Sequence, residues 1–309
     1  MFIISVLQFI LVPVLSPLGI GIVKKIKAKL QNRQGASIWQ PYRDLWKLLH
    51  KDEILSPDNS WIFKVAPFII FATTLLVGAS IPLFTTLSWG LVIGDMLIIV
   101  YTLAIGTFFL ALAGLDTGGA FGGFGASREM TLSALAEGGF IFSLLTLALI
   151  SHTTNLFGIS GSIGTSYGSF GLPILLAFVG FFIVLLAETA RFPFDNPATH
   201  LELTMIHEAM ILEYSGKRLA LIEWASANKL FIFVALGVNL FFPFGIAYGA
   251  GLIAILIGLV ALVVKMLVFY VAIAMLESTM AKFRFFRLPD LLMTSFILNV
   301  IAIGLINYL

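Results

Sequence analysis

Residues 187–229 hold a concentration of ionisable side chains that their apolar flanks lack. Carboxylates and imidazoles of this kind exchange protons, pair with cations or bind metals. Charge is costly near a bilayer, so such a set needs internal partners, water or a docked protein to stabilise it. This stretch is therefore the candidate functional region. Its ionisable residues include Glu188, Arg191, Asp195, His200, Glu202, His207, Glu208, Glu213, Lys217, Arg218 and Glu223.

The start of this stretch predicts a helix that is soon interrupted. Glu188 and Arg191 are three residues apart, so on a continuous helix they are neighbours on one face. Pro193 then ends or kinks the helix, because it lacks a backbone N–H and clashes with the preceding turn. We therefore expect Glu188 and Arg191 at the end of an apolar helix, with Arg191 as a pairing residue.

A second helix is predicted over residues 197–214. Its first residue is a proline, which suits that position, and Thr199 and Glu202 have capping-box spacing. Ser215-Gly216 offers a stop. On this helix Glu202 and Glu213 face nearly one way, roughly 16 Å apart.

Two plainer interpretations of the stretch stay open. It can be a solvated loop whose charges form surface salt bridges. His200, Glu202 and His207 have the right types for metal ligands, but the histidines lack the four-residue spacing of a helical metal site.

The composition indicates a polytopic membrane protein. Of 309 residues, 60% are hydrophobic and 11% charged, and the mean hydropathy is +1.05. A soluble chain carries roughly twice that charge. There is no cysteine, so the chain cannot supply thiolates to iron–sulfur clusters or form disulfides. Four histidines are too few and too scattered for a typical membrane haem protein.

Apolar runs of about 20 residues, the length that crosses ~30 Å of hydrocarbon, occur eight times. We therefore predict an all-α membrane protein with about eight transmembrane helices, in which 1–309 form a single polytopic membrane domain. No basic segment precedes the first run, so we expect a retained span and not a cleaved signal. The predicted spans are 2–23, 64–86, 91–114, 130–151, 172–189, 229–248, 251–276 and 290–308.

The basic residues predict the orientation. All of them except Lys265 lie in or beside four loops on one side, about 24–63, 115–129, 190–228 and 277–289. Cytoplasmic loops carry the excess of Lys and Arg. We therefore expect both termini outside the cytoplasm, with Lys265 inside the seventh span.

The first of these loops contains an interfacial amphipathic helix by its pattern. Apolar residues recur every three or four positions between residues 38 and 49, with Trp residues suited to the headgroup level. Aromatic residues mixed with Arg are typical of binding hot spots. We expect a docking surface for a soluble partner, formed by Arg33, Trp39, Tyr42, Arg43, Asp44 and Trp46.

Two glycine-rich stretches are expected to be connections. Residues 114–129 have glycines but no Gly-Lys-Ser/Thr, which argues against a nucleotide site. Residues 152–171 are rich in Gly, Ser and Thr and uncharged, so we predict a surface loop on the other side.

The residues of the candidate region also carry a family resemblance. The chain resembles the membrane subunit shared by respiratory complex I, where it is the H subunit, and the energy-converting (group 4) hydrogenases. The likeness lies in Glu188-x-x-Arg-Phe-Pro-Phe-Asp195, Glu202-Leu203 and Glu213-Tyr-Ser-Gly216, and in Asn32-Arg33-x-Gly35 with Gln40-x-x-x-Asp44-x-x-Lys47-Leu48 of the first loop.

Other motifs resemble the hydrogenase branch, which includes formate hydrogenlyase subunit 4, hydrogenase-4 component C and the membrane-bound hydrogenases. They are Gly114-Leu-Asp116-Thr-Gly118 and Gly125-Ala-Ser-Arg128-Glu129. The chain departs from the family where Ala198-Thr199-His200 replaces an acid-rich run. Three extra residues also fall within 206–210.

The resemblance implies a subunit without redox chemistry of its own, which anchors a peripheral electron-transfer arm and couples it to ion movement. Its acids would lead from that junction into the membrane, with Arg191 and Arg128 as pairing residues. The implied ion pathway comprises Glu137, Glu188, Glu129, Asp195, Glu202, Glu208, Glu213, Lys265 and Glu277.

The resemblance also implies partners. They are hydrogenase-like large and small subunits, an iron–sulfur subunit and antiporter-like membrane subunits, in the bilayer of a prokaryotic cell membrane and without nucleic acid. The NiFe and iron–sulfur clusters belong to those partners, and no cofactor or metal is expected on this chain. Three alternatives stay open: the quinone-site H subunit of complex I, a passive membrane anchor, and a stand-alone transporter, which the lack of an internal repeat disfavours.

Overall fold

In this computed structural model the described residues are 2–55, 59–87, 94–196, 205–249 and 251–308, and they fold as helices joined by short connections. A π-helical turn, Gly237–Phe241, extends α8, and a 3-10 turn, Phe285–Arg287, precedes α10. The α-helices are α1 Phe2–Leu30, α2 Gln40–Leu49, α3 Trp61–Ser80, α4 Met96–Asp116, α5 Ala120–Ser151, α6 Leu156–Glu188, α7 His207–Ile211, α8 Gly216–Leu236, α9 Leu252–Thr279 and α10 Leu288–Ile306.

Eight helices of the described chain are long and apolar enough to cross a membrane, which confirms the predicted class and span number. The two short helices, α2 and α7, lie at the end of the bundle where α1 finishes and α3 begins. We call this the charged end. Because eight crossings are even in number, both chain termini lie at the opposite end.

The predicted loop over 115–129 is wrong, because α5 already begins at Ala120. Its glycines serve close helix contact instead. A Cβ on Gly122 would lie 2.2 Å from the Gly114 carbonyl oxygen, and one on Gly125 would lie 2.8 Å from the Ala209 Cβ. Small residues let backbones approach in membrane bundles, so a glycine-rich stretch here is a packed helix and not a connection.

The predicted loop over 152–171 is also wrong, since α6 begins at Leu156. Asn155 caps this helix by accepting a hydrogen bond from the Phe157 N–H at 2.9 Å. Inside the helix, hydroxyl side chains donate hydrogen bonds to backbone carbonyls, as when the Ser162 hydroxyl donates to the Gly158 carbonyl at 3.1 Å. A span can therefore contain many serines and threonines.

The continuous helix predicted over 197–214 is not found. Residues 197–204 lie outside the described part, α7 is five residues long, and Ser215 precedes α8 instead of ending a helix. Packing explains the break. The Tyr214 ring stacks on Phe63 with centroids 3.9 Å apart, and its hydroxyl donates to the Phe63 carbonyl at 2.9 Å. Tertiary contacts thus override local helix signals.

The loop predicted over 190–228 is shorter than expected, because α8 begins at Gly216. Lys229, which the charge count assigned to the loop, lies thirteen residues into this helix, about 20 Å along its axis. A basic residue therefore stands inside the sixth span and needs a partner there.

The predicted interfacial helix is present as α2, none of whose residues is buried. It is fastened to the first span, since the Tyr42 hydroxyl donates to the Val14 carbonyl at 2.5 Å.

A polar clamp joins three spans beside Lys229. The buried Asn228 side chain accepts from the Ser16 hydroxyl at 2.6 Å and donates to the Thr74 hydroxyl at 3.1 Å. Because both ends of the amide are satisfied, α1, α3 and α8 are held in register.

Candidate functional site

An ion pair at the charged end joins α6 to α8. The Glu188 carboxylate, at the last residue of α6, lies 2.7 Å from the Lys229 ammonium. The ammonium also donates to the Thr107 hydroxyl of α4 at 3.2 Å. The expected carboxylate at the base of the fifth span is therefore present, and its partner is a lysine that the sequence placed in a loop.

Arg191 pairs with α9 and not with Glu188, so the predicted Glu188–Arg191 face is wrong. The chain leaves the helix after Glu188, and Ala190 has a φ of 49°, which turns Arg191 away. Its guanidinium lies 2.9 Å from the buried Glu277 carboxylate, which also accepts from Lys27 of α1 at 3.1 Å. Arg191 thus pairs with Glu277, whose carboxylate joins α9 to α1 and to the loop after α6.

Asp195 connects the loop after α6 to its neighbours. The carboxylate is 3% exposed. It accepts from the Lys282 ammonium at 2.5 Å and from the His207 backbone N–H at 3.1 Å. It therefore ties α7 to the connection between α9 and α10.

A small cavity lies behind the Glu188–Lys229 pair. Its volume is about 40 Å³, room for about one to three waters. We call it the inner cavity. Its polar lining comprises Glu129, Glu188, Lys229, His207, Ser226, Thr189, Thr107, Thr73 and Thr74.

A larger chamber of about 670 Å³ adjoins it, between α2 and the loop that follows α6. We call it the outer chamber. Its charged side chains stand among apolar ones, which include Ile20, Leu45 and Leu48. Its charged or titratable lining comprises Lys24, Lys27, Arg33, Asp44, Arg191, His207, Glu208, Glu223 and Glu277.

Two titratable groups of α7 face these cavities, and their pKa values move in opposite directions. Burial raises the pKa of Glu208 to about 7, and the negative charges of Glu223 and Asp195 add to that effect. Burial lowers the pKa of His207 to about 4, with Asp195 opposing and Lys229 assisting. At neutral pH the imidazole is therefore uncharged, and the Glu208 carboxyl is divided between its two forms.

The other predicted pathway acids are dispersed. Glu137 lies in the middle of α5, half-buried, and accepts from the Ser133 hydroxyl at 3.4 Å. It lines neither the inner cavity nor the outer chamber. Glu213 is exposed, and Glu202 lies outside the described residues. The structure thus brings together Glu129 and Glu188 in one cavity, and Glu208 and Glu277 in the other.

Lys265 is not with these acids. Its ammonium donates to the Asn239 side-chain oxygen at 2.9 Å and the Phe242 carbonyl at 3.0 Å, beside the π-helical turn that ends α8. That turn is at the end of the bundle opposite the charged end. Lys265 is therefore at the other end of the bundle from these acids, and its place in an ion pathway stays a prediction.

The second predicted pairing residue, Arg128, reaches the segment before α7. Its guanidinium donates to the Met205 carbonyl at 3.1 Å and lies over the Phe285 ring. It therefore fixes backbone beside the inner cavity.

The predicted docking residues divide into two groups. Arg33 and Asp44 line the outer chamber. Trp39 and Trp46 are 61% and 67% exposed, and Arg43 is exposed as well. The fastened α2 thus presents aromatic and basic groups outward, while its other face covers the chamber.

Sequence reasoning missed several members of the site. Lys27 and Lys229 were assigned to loops, and His207 was weighed only as a metal ligand. Within the part of the chain that the structure describes, no three His, Asp or Glu residues are grouped so as to hold a metal. His200 and Glu202 of the metal hypothesis lie outside that part. The sequence around Lys27, Lys229 and His207 gives no signal of which residues they contact in the folded chain.

Comparison with known proteins identifies the family of this chain. The family model described as NADH dehydrogenase matches residues 2–308. The chain belongs to this family. Of the relatives found, hydrogenase-4 component C of Escherichia coli (strain K12) is 36% identical over 295 residues, covering 96% of this chain and 92% of that protein.

Two further family members span both branches. Formate hydrogenlyase subunit 4 of Escherichia coli (strain K12) is 31% identical over 280 residues, 90% of each chain. The H subunit of the NADH-quinone oxidoreductase of Paraburkholderia xenovorans (strain LB400) is 30% identical over 272 residues, 82% of this chain and 74% of that one. The predicted family resemblance is confirmed, and the chain is a multi-pass membrane protein.

A solved structure has the same fold. A chain of the membrane-bound sulfane sulfur reductase, an archaeal respiratory membrane complex, superposes with a TM-score of 0.84 at 22% identity, covering 98% of both chains. This family member thus shares its whole architecture with a chain of a respiratory membrane complex.

Proposed function

We propose that the chain is the membrane-anchoring and ion-translocation coupling subunit of a multisubunit hydrogenase-type complex in a prokaryotic cell membrane. It links a peripheral electron-transfer arm to the movement of protons or sodium ions. The partners would be hydrogenase-like large and small subunits, an iron–sulfur subunit and antiporter-like membrane subunits. Redox centres would reside in those partners and not in this chain.

The observation that carries this proposal is the adjacency of the two cavities. Glu129 and Glu188 line the inner cavity within the bundle, and several residues that line this cavity, His207 among them, also line the outer chamber. A carboxylate at membrane depth is costly to ionise without a partner. Glu188 is paired with Lys229 at 2.7 Å. A proton added nearby therefore changes the electrostatic balance of this ion pair and moves positive charge toward the membrane interior.

One observation favours the hydrogenase branch over the H subunit of complex I. The relatives named hydrogenase-4 component C and formate hydrogenlyase subunit 4 are 36% and 31% identical and are matched over at least 90% of this chain, whereas the H subunit of Paraburkholderia xenovorans is matched over 82% of it at 30% identity. A quinone site is therefore the second candidate.

A passive anchor is the other alternative. An anchor needs charge at its surface, where the docked arm meets it, but the Glu188–Lys229 pair has side chains only 9% and 17% exposed. Pairs this deep stabilise little relative to apolar packing, which favours a functional reason for them.

The test replaces the titrating groups and keeps their shape. Glu137→Gln and Glu188→Gln preserve volume and hydrogen bonding. We expect each complex to retain its soluble arm and most of its electron transfer with artificial donors in detergent, while ion movement in sealed vesicles falls on the order of tenfold or more. Asp290→Asn, at an exposed carboxylate in the first turn of α10, is the matched control.

The outcomes separate the candidates. Normal ion movement in both glutamine variants overturns the coupling function and leaves the passive anchor. Loss of quinone-dependent turnover with unchanged hydrogen-dependent turnover would indicate the complex I alternative.

A further inference from the structure

The wall between the inner cavity and the outer chamber consists of five described residues that line both. They are Thr189, Ala190, His207, Ile222 and Ser226. Among these five, His207 alone carries an imidazole, a group that can accept a proton at one ring nitrogen and donate one from the other. Of the residues in this wall it is therefore the one best suited to pass a proton between the two cavities.

The geometry holds His207 in this wall. It is the first residue of α7, and its backbone N–H donates to the buried Asp195 carboxylate at 3.1 Å. Asp195 is itself fixed by Lys282 at 2.5 Å. Because the main chain supplies this bond, both ring nitrogens stay independent of it.

Of the two hydroxyls in this wall, on Thr189 and Ser226, that of Thr189 is not available to carry a proton. The Thr189 hydroxyl donates its proton to the Leu185 carbonyl at 2.6 Å, so it is committed to the end of α6. A neutral imidazole, in contrast, has one nitrogen that accepts and one that donates. It can take a proton at one nitrogen and release another from the second, and it ends unchanged except for its tautomer.

Charged groups face the wall on both sides. The inner cavity presents Glu129, Glu188 and Lys229. The outer chamber presents Lys24, Lys27, Arg33, Asp44, Arg191, Glu208, Glu223 and Glu277. Acids therefore stand on either side as donors and acceptors.

We propose that His207 relays protons between the outer chamber and the inner cavity. In this step a protonated carboxyl of the outer chamber, such as Glu208, gives its proton to one ring nitrogen, and the N–H of the other nitrogen gives its proton to a carboxylate of the inner cavity. One N–H bond forms and one breaks, so the ring carries no net charge before or after the step. This inference rests on the proposed coupling function and names its entry step. Burial keeps the pKa of His207 low, so the ring is uncharged at neutral pH and one of its nitrogens carries no proton.

The test uses the assembled complex in sealed vesicles. His207→Gln keeps a polar side chain but cannot exchange tautomers. We expect normal assembly, normal electron transfer with artificial donors, and proton movement reduced on the order of tenfold or more. His207→Ala should lose proton movement likewise, and added imidazole should restore it several-fold. His50→Gln, the same change just after α2 and outside both cavities, should behave as wild type.

Measuring Glu188→Gln alongside separates this inference from the function on which it rests. If Glu188→Gln loses proton movement and His207→Gln keeps it, the coupling function stands and the relay is overturned. If neither variant loses it, the relay is overturned, and the coupling function is overturned as well when Glu137→Gln also keeps normal movement. Loss in His207→Ala that imidazole does not restore assigns His207 a packing role and also overturns the relay. Should the alanine variant fail to assemble, the glutamine variant decides.

Discussion

The Glu188 carboxylate and the Lys229 ammonium lie 2.7 Å apart, although one ends its helix and the other stands in the middle of its own. This offset arises because α6 finishes within the bundle while α8 continues past it. Each charge is therefore stabilised by the other in a largely buried position.

Removing one partner of the pair should therefore lower the free energy of unfolding more than removing both. We expect Lys229→Met to destabilise the chain by about 3–5 kcal/mol, since it leaves a buried carboxylate unpaired. The double variant Glu188→Gln/Lys229→Met should recover most of that loss. Thermal unfolding of the detergent-purified chain gives the coupling between the two sites. Additive losses would mean that the pair contributes nothing as a pair.

Asp195 should protect the connection between α9 and α10 from proteolysis. In Asp195→Asn the charge that holds Lys282 is removed while the side chain keeps its size. We expect trypsin to cleave after Lys282 several-fold faster, because this segment opens more readily. Asp290→Asn, nearby in sequence, serves as the control, and equal rates in both variants would contradict this role.

The exposed face of α2 should hold the soluble arm. Trp46→Ala combined with Arg43→Ala removes an aromatic and a cationic group, the types that dominate binding energy. We expect the soluble subunits to bind on the order of tenfold or more weakly in washed membranes. Trp61→Ala provides a control, since Trp61 is 65% exposed and lies outside α2. Retention of the arm at normal stoichiometry would locate docking elsewhere.

The pKa of Glu208 predicts a pH-dependent stability. The value is raised from 4.5 to about 7, so the folded chain binds the extra proton, and stability is lost as pH rises from about 4.5 through 7. Glu208→Gln should be more stable than wild type at pH 8 by about 1–2 kcal/mol, a figure reduced for partial exposure. At pH 5 the difference should be small.

His207 changes the stability in the opposite direction with pH. Because its pKa is lowered in the folded chain, stability is lost as pH falls from 6.5 to about 4. This effect is common to wild type and variant, so it cancels in their difference. A variant no more stable than wild type at pH 8 would show that the Glu208 carboxylate is ionised at little cost.

The orientation can be tested directly, because the sequence contains no cysteine. Single cysteines at Lys51 and Ser37 should react with a membrane-impermeant thiol reagent only from the cytoplasmic face. Cysteines at Thr153 and Tyr308 should react only from outside. The reverse pattern would contradict the predicted location of the termini.

The number of spans was predictable because an apolar run of sufficient length depends on composition alone. Their limits were not, since the glycines before Arg128 resemble a loop until a neighbouring helix is present to pack on them. The helix predicted to continue to Tyr214 is interrupted for a related reason: the stacking of Tyr214 on Phe63 joins residues 151 positions apart.

Half of the candidate site was predictable in the same sense. Acids such as Glu188 and Glu277 stand out because charge is rare in an apolar sequence. Their partners do not, because Lys229 looks like one more basic loop residue until α8 is seen to begin at Gly216. Which charges meet depends on how helices cross, and a single sequence gives no measure of that.

The pair of Lys27 and Glu277 spans 250 residues, and this has a consequence for biogenesis. Lys27 leaves the ribosome with the first helix, and Arg191 follows, yet their shared carboxylate is synthesised only near the end of the ninth helix. The growing chain therefore holds two unneutralised cations at one rim of an unfinished bundle for most of its synthesis. Closure of the first helix against the ninth marks a chain that has been made almost to its end, and a product truncated before Glu277 would carry that exposed pair as a sign of incompleteness for quality control.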